Sequence, residues 1–168
     1  MLLYIAGGAG SGKSAFAESQ IVQSGLPAPL YIATMEPFGP EAEVRIARHR
    51  ALRAGKGFTT VERPRSLETL PLPPNRPVLL EDLTNLFANE WFSPAREGAA
   101  DRILTGLRRL KARTPLSVIV GNDLFSDGMD YPPDTLAYLQ ALAALIQETA
   151  ALSDQVYEVV CGIPLRHK

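Results

Sequence analysis

The feature that most constrains the fold of this chain is a glycine-rich segment near its amino terminus, which reads GGAGSGKS over residues 7–14. It follows a short apolar run at 2–6 that is typical of a buried strand, and it leads into a helical pattern at 13–24. Glycines let successive backbone N–H groups face one point, and a helix that begins there directs its positive end to the same point. The segment therefore predicts a phosphate-binding loop; the alternative is a glycine-rich turn with an incidental lysine.

The residues of this loop have separate predicted roles in holding a nucleotide. We expect the Lys13 side chain to reach the β- and γ-phosphates, which makes it a candidate catalytic residue, and the Ser14 hydroxyl to bind Mg²⁺. The loop residues predicted to bind the nucleotide are Gly7, Gly8, Ala9, Gly10, Ser11, Gly12, Lys13 and Ser14.

A phosphate-binding loop of this kind needs an acidic group for the metal, usually at the end of another buried strand. The segment VLLED at 78–82 supplies two carboxylates in that position. Glu81 or Asp82 would hold Mg²⁺ directly or through water. The alternative is that these carboxylates cap the helix that follows, as acidic residues at a helix N-terminus often do.

Apolar strand patterns alternate with helical patterns along the 168 residues. This alternation predicts an α/β fold with a mostly parallel, doubly wound sheet and helices on both faces, in a single domain over 1–168. The apolar helix at 134–152 is expected to be either a buried core helix or a subunit interface. Cys161 is expected to be a small buried hydrophobe in the last strand. The predicted strands are 2–6, 30–34, 58–62, 78–81, 116–120 and 155–161, and the predicted helices are 13–24, 40–54, 95–113 and the apolar 134–152.

Composition excludes several classes of protein. With 17 basic and 18 acidic residues, a net charge of −1 provides no field for non-specific binding of nucleic acid. One cysteine and two histidines argue against a disulfide scaffold and a structural zinc site. Apolar runs are too short to span a bilayer, and the amino terminus lacks the basic region of a signal peptide, so we expect a cytoplasmic protein.

A basic segment surrounds the one internal histidine in RIARHRALR, residues 45–53. Arg45, His49 and Arg53 would share one face of a helix, with Arg48 beside them. Alone, this pattern is typical of a solvated basic face. In a chain with a phosphate-binding loop, neighbouring positive charge would lower the pKa of the imidazole and keep it nucleophilic, able to attack an α-phosphate and expel pyrophosphate.

Taken together, the motifs resemble the bifunctional adenosylcobinamide kinase / adenosylcobinamide-phosphate guanylyltransferases of cobalamin biosynthesis. That resemblance implies a P-loop fold of the RecA-like kind and a transferase with two activities. One phosphorylates adenosylcobinamide with ATP or GTP; the other transfers GMP from GTP to the resulting phosphate through a guanylylated histidine and gives adenosylcobinamide-GDP. The motifs that carry the resemblance are GGAGSGKS (7–14), YIAT (31–34), RIARHR (45–50), TVERP (60–64), LLEDLT (79–84) with Asn89, and VGND (120–123).

The resemblance also implies roles for single residues. His49 would be the catalytic nucleophile. From the chemistry of the residues themselves, we expect Ser14 and Glu81 to form the metal-binding pair and Arg48, Arg50 and Arg53 to stabilise charge. The implied partners are GTP or ATP, a corrinoid and further copies of the chain in a homotrimer. Glu62 alone could equally be a plain carboxylate at a strand end. Outside the loop, the implied nucleotide contacts are Ile32, Ala33, Thr34, Arg50, Ala51, Leu52, Arg53, Glu62 and Glu81.

Residues 121–147 depart from the family pattern, because the turn reads LFSDGMDYPPD at 124–134 and the following helix lacks the family's polar pairs. This departure motivates two alternatives. One is a divergent P-loop kinase or nucleotidyltransferase acting on another small molecule. The other is a GTP-binding regulatory module without turnover. Binding alone needs no nucleophile, so the presence of His49 argues against this second alternative.

Overall fold

The computed structural model describes residues 1–36, 55–72, 74–126 and 128–168. The predicted helix at 40–54 lies outside these ranges. The strands are β1 (Leu2–Gly7), β2 (Leu30–Ala33), β3 (Thr59–Glu62), β4 (Val78–Glu81), β5 (Ser117–Asn122), β6 (Gln155–Val160) and β7 (Ile163–Arg166). The helices are α1 (Lys13–Gln23), α2 (Leu83–Trp91), α3 (Ala99–Arg113) and α4 (Pro133–Leu152), with a 3₁₀ turn at Leu67–Thr69.

All seven described strands form one sheet in the order β3-β2-β4-β5-β1-β6-β7. Neighbouring strands are parallel except β6 and β7, which are antiparallel. β5 lies between β1 and β4, so the strand that leads into the glycine-rich loop and the strand that ends in Glu81 are not neighbours. The predicted α/β class and mostly parallel sheet are confirmed.

Helices cover both faces of the sheet, as predicted. On one face α2, α3 and α4 pack on the strands; on the other face the described part of the chain contributes α1. Because alternate strand residues point to opposite faces, strands buried on both faces need unbroken apolar runs, and this is why these segments read as continuous rather than alternating patterns. The strand residues in the first core include Leu2, Tyr4, Leu30, Ile32, Leu80 and Ile119, and those in the second include Leu3, Ile5, Tyr31, Leu79, Val118 and Val120.

Three local predictions are corrected. The helix expected over 95–113 begins at Ala99, after Gly98 in a left-handed conformation. Cys161 is exposed rather than buried, because Cys161 and Gly162 form a two-residue turn between β6 and β7. Both residues have positive φ angles, +49° and +81°, as a tight hairpin turn requires. The strand expected over 155–161 therefore ends at Val160.

The long apolar helix α4 buries one stripe, formed by Tyr138, Leu142, Leu145 and Thr149, against the sheet and α2. Leu136 on the same helix remains 44% exposed. The interpretation as a core helix is therefore supported for this stripe. Among the helices of the described ranges, none combines the length and the apolar character needed to cross a membrane.

One glycine in α3 is explained by packing. An ideal Cβ on Gly106 would lie 2.6 Å from Cγ and 3.0 Å from Cβ of Leu67, which is 2% exposed in the 3₁₀ turn. The clash involves the root of a buried side chain, so Leu67 has little room to move away. Leu67 thus packs directly on the backbone of α3.

We predict that Gly106→Ala destabilises the protein by about 1–3 kcal/mol through overpacking, although alanine favours a helix by about 1 kcal/mol over glycine. Chemical denaturation would measure the change. In a double-mutant cycle, Leu67→Ala should cost less in the Gly106→Ala background than alone, because the added methyl group occupies the vacated space. A Gly106→Ala protein more stable than the parent would contradict this packing argument.

Candidate functional site

The carboxyl ends of four parallel strands bring the candidate site together at one edge of the sheet. β1 ends at Gly7, β2 just before Thr34, β4 at Glu81 and β5 at Asn122. The register pairs Gly7 with Asn122 and Ala33 with Glu81, so these strand ends are level with one another. In open α/β sheets this edge is where ligands bind.

The glycine-rich segment forms a tight loop between β1 and α1. The Ser11 amide donates to the Gly8 carbonyl at 3.2 Å, and the Phe16 amide donates to the Gly12 carbonyl at 3.0 Å as α1 begins. Gly10 and Gly12 have φ angles of +72° and +92°, which side chains with a Cβ rarely adopt. The predicted strand, loop and helix are therefore all present around the motif.

Lys13 lies over this loop rather than in solvent. Its Nζ donates to the Gly8 carbonyl at 3.0 Å, and the residue is 7% exposed. Burial lowers the pKa of Lys13, while the nearby carboxylates of Asp82 and Glu81 act in the opposite direction. The ammonium group is thus held at the loop among polar partners, where an anion could replace the carbonyl as its acceptor.

The turn between β6 and β7 supports the loop from outside. The Gly162 amide donates to the Ser11 carbonyl at 2.8 Å, and an ideal Cβ on Gly12 would lie 3.3 Å from Gly162 Cα. An ideal Cβ on Gly7 would lie 2.7 Å from the Val159 carbonyl oxygen. Sequence reasoning missed this contact, since nothing in residues 155–166 marks them as neighbours of the loop.

Glu81 faces α1. Its Oε1 accepts a hydrogen bond from Ser14 Oγ at 2.5 Å, and its Oε2 accepts one from the Tyr31 hydroxyl at 2.8 Å. A hydroxyl and a carboxylate beside a phosphate-binding loop are oxygen ligands of the kind that Mg²⁺ takes. Of the two carboxylates that the sequence left open, Glu81 is the one that the fold places against Ser14.

Asp82 caps α2, the helix that packs on the face of the sheet opposite α1. Its Oδ1 accepts from the Asn85 amide at 2.6 Å, and its Oδ2 accepts from the side-chain amides of Asn85 at 2.9 Å and Asn122 at 2.8 Å. Burial, with a smaller contribution from Glu81, raises the pKa of Asp82 to about 6, against the lowering effect of these hydrogen bonds and Lys13. The capping role that the sequence offered as an alternative is what this residue does in the structure.

The chain segment after β2 is tied to the ends of β4 and β3. The Thr34 amide donates to the Glu81 carbonyl at 3.1 Å, while its hydroxyl accepts from the Asp82 amide at 2.7 Å and donates to the Asp82 carbonyl at 2.8 Å. Asn89 donates to the carbonyls of Thr34 at 2.8 Å and Pro64 at 3.0 Å. These bonds hold the loops after β2, β3 and β4 together.

The remaining predicted site residues fall into three groups. Ile32 is fully buried in the core on the α2 face, and Ala33 is half-buried on the α1 face at the end of β2. Glu62 is exposed at the end of β3, in register with Ala33. The predicted nucleophile and basic contacts are outside the described residues; these are His49, Arg50, Ala51, Leu52 and Arg53, together with Arg45 and Arg48.

Solved structures support the fold assignment. A Pyrococcus horikoshii protein described as project PH0250 aligns with 99% of this chain and 85% of its own at a TM-score of 0.56 and 10% identity. The flagellar accessory protein FlaH from Methanocaldococcus jannaschii aligns with 94% of this chain and 70% of its own, at a TM-score of 0.50 and 11% identity. At such identities these likenesses concern the fold alone. The sheet order, the loop at 7–14 and these likenesses together identify a RecA-like P-loop NTPase fold.

Sequence relatives identify the family. The bifunctional adenosylcobalamin biosynthesis proteins CobU of Escherichia coli K12 and Salmonella typhimurium LT2 are each 32% identical to this chain over 185 aligned positions, covering all of both chains. Residues 3–167 match the family described as cobinamide kinase / cobinamide phosphate guanyltransferase. The predicted resemblance is confirmed, and the chain belongs to this family of bifunctional transferases.

Proposed function

We propose that this protein phosphorylates adenosylcobinamide with ATP or GTP and then transfers GMP from GTP to adenosylcobinamide phosphate. The observation that carries the proposal is the meeting of Lys13, Ser14 and Glu81 at the loop of a chain in the cobinamide kinase family. In the first reaction the substrate hydroxyl oxygen attacks the γ-phosphorus and its proton passes to solvent, while the bond to the bridging oxygen breaks and the nucleoside diphosphate leaves.

Phosphoryl transfer depends mainly on positioning and on charge stabilisation, and the loop supplies both. Its amide groups and the N-terminus of α1 would bind the phosphates, and Lys13 would exchange the Gly8 carbonyl for phosphate oxygens. The loop is held by Gly162, so little reorganisation is required when a nucleotide binds.

Mg²⁺ fits the oxygen atoms at this edge. Ser14 Oγ and Glu81 Oε1 lie 2.5 Å apart next to the loop, and both are hard oxygen donors. In the part of the chain that the structure describes, no three His, Cys, Asp or Glu side chains are grouped to hold a metal ion on their own. A site completed by nucleotide phosphates and water is what Mg²⁺ usually occupies, and when bound it would neutralise charge on the phosphates.

The second reaction would use His49 as a covalent nucleophile. An imidazole nitrogen attacks the α-phosphorus of GTP, pyrophosphate leaves, and GMP stays attached by a P–N bond. A phosphate oxygen of adenosylcobinamide phosphate then attacks the same phosphorus, forming adenosylcobinamide-GDP and freeing the imidazole. Arg48, Arg50 and Arg53 would stabilise the charge that develops on the phosphates.

Anchors on both sides of segment 37–54 support a role for His49 at this site. On one side, Arg65 pairs with Glu36 at 2.9 Å, two residues beyond Thr34. On the other side, Lys56 forms an ion pair with Glu18, which is 7% exposed on α1. The described residues that flank the segment therefore contact the loop after β3 and helix α1. A homotrimer and a location in the cytoplasm stay predictions.

We predict that His49→Ala abolishes covalent attachment of GMP. After incubation with Mg²⁺ and GTP and removal of free nucleotide, the intact mass of the parent protein should rise by one GMP and return on addition of pyrophosphate. His167→Ala is the matched control, because His167 is the other histidine, directly follows β7 and lies beside Glu158 of β6. An adduct that persists in His49→Ala would refute the assigned nucleophile, while kinase activity should survive in a folded His49→Ala protein.

We further predict that Lys13→Ala lowers the rate of phosphoryl transfer by about 100-fold or more, the usual loss when a group that stabilises transition-state charge is removed. The rate of cobinamide phosphorylation would be measured at saturating nucleotide. Lys168→Ala is the control, because Lys168 is exposed and its Nζ donates to the carbonyls of Ala150 and Ala151. Transfer that is independent of a corrinoid, or binding without turnover, would instead favour another small-molecule substrate or a regulatory module.

A further inference from the structure

We propose that the Tyr31 hydroxyl is a positioning group that orients the Glu81 carboxylate toward the divalent cation carried by the nucleotide. The inference rests on the proposed role of Glu81 in metal binding. Tyr31 is the first residue of the YIAT motif, but it is not among the nucleotide or metal contacts predicted from the sequence. Its hydroxyl donates to Glu81 Oε2 at 2.8 Å, while Ser14 Oγ donates to the other oxygen, Oε1.

The parallel register explains how Tyr31 reaches Glu81. Tyr31 on β2 is paired with Leu79 on β4, and Glu81 is two residues further along that strand. Two residues advance a parallel strand by about 6.6 Å and return the side chain to the same face. Tyr31, Leu79 and the α1 residue Ile21 share the core on that face. The long tyrosine side chain therefore extends along the sheet to the carboxylate at the strand end.

The position of the hydroxyl is fixed by the packing of its ring. Tyr31 is 2% exposed, and its ring meets Phe58 edge-on with centroids 5.8 Å apart. Phe58 directly precedes β3, the neighbour of β2. A ring packed in this way cannot rotate without disturbing the core, so it offers its hydroxyl at one place.

The two hydrogen bonds on Glu81 differ in what binding of a cation would do to them. The Ser14 hydroxyl would give up its hydrogen bond to Oε1, because the lone pairs of its oxygen would then bind the cation. Tyr31 bonds the other oxygen, so its hydrogen bond can persist and keep Oε1 directed at Ser14. Without the Tyr31 hydrogen bond, the Glu81 carboxylate would keep its rotamer freedom until the cation binds. The side-chain entropy lost on binding would then lower the affinity for the metal.

The test separates nucleotide affinity from metal affinity in Tyr31→Phe, which keeps the ring and removes only the hydroxyl. We expect the dissociation constant for GTP in EDTA to change less than twofold. Mg²⁺ should increase the affinity for GTP, and the Mg²⁺ concentration that gives half of this increase should rise about tenfold in Tyr31→Phe. This is the size expected for loss of a hydrogen bond to a charged group. Titration calorimetry measures both, and Mn²⁺ electron paramagnetic resonance gives the metal affinity directly.

Tyr157→Phe is the matched control. Tyr157 lies on β6 at the same face, its ring meets Phe16 edge-on, and its hydroxyl donates to Gln155 rather than to a site residue. This variant should retain the metal dependence of the parent protein. A general effect of removing a tyrosine hydroxyl from this core would appear in both variants and would overturn the inference.

Glu81→Gln distinguishes failure of the inference from failure of the proposed function. If Glu81→Gln loses the Mg²⁺-dependent gain in affinity and Tyr31→Phe keeps that of the parent, the role of Tyr31 is refuted and that of Glu81 stands. If Glu81→Gln keeps the gain, the proposed metal role of Glu81 fails. In a double variant, Tyr31→Phe should add nothing to the effect of Glu81→Gln; an additive weakening would show that Tyr31 acts by another route and would overturn the inference.

Discussion

The end of β4 is the point on which the rest of the site depends. Two consecutive carboxylates at this strand end contact different helices. Glu81 meets Ser14 and Tyr31 on the α1 face, and Asp82 meets Asn85 and Asn122 on the α2 face. One strand end therefore fixes the first turn of α1, the start of α2 and the ends of β2 and β5 relative to one another.

These contacts also explain how acidic groups can be buried at this strand end. Asp82 is 7% exposed but accepts three hydrogen bonds, and Lys13 lies near enough to lower the pKa of that carboxyl. A buried charge without such partners would cost several kcal/mol, whereas a hydrogen-bonded one costs much less. The polar groups are thus concentrated at one edge, and the strands below them remain apolar.

Family membership and geometry support different parts of the functional assignment. Full-length similarity to two CobU proteins establishes the class of transferase. The arrangement of Lys13, Ser14 and Glu81 supports the proposed phosphoryl transfer, and the ion pairs of Glu36 and Lys56 lie on either side of the segment that contains His49 in the sequence. The covalent role of His49 and the corrinoid substrate are proposals, which rest on the resemblance of the sequence motifs to those of the family.

Local patterns in the sequence determined the phosphate-binding loop, the apolar strands and the alternation that makes the sheet parallel, because glycine geometry, burial and periodicity act within a few residues. The tertiary structure decided which carboxylate faces Ser14, since VLLED places two acids side by side and only the packing of α1 and α2 on opposite faces separates them. It also decided that Tyr31 reaches Glu81, through the register of β2 and β4, and that Cys161 and Gly162 turn onto the loop. Such contacts join residues 50 to 151 positions apart in sequence, and no local pattern records which distant segment a strand will have as its neighbour.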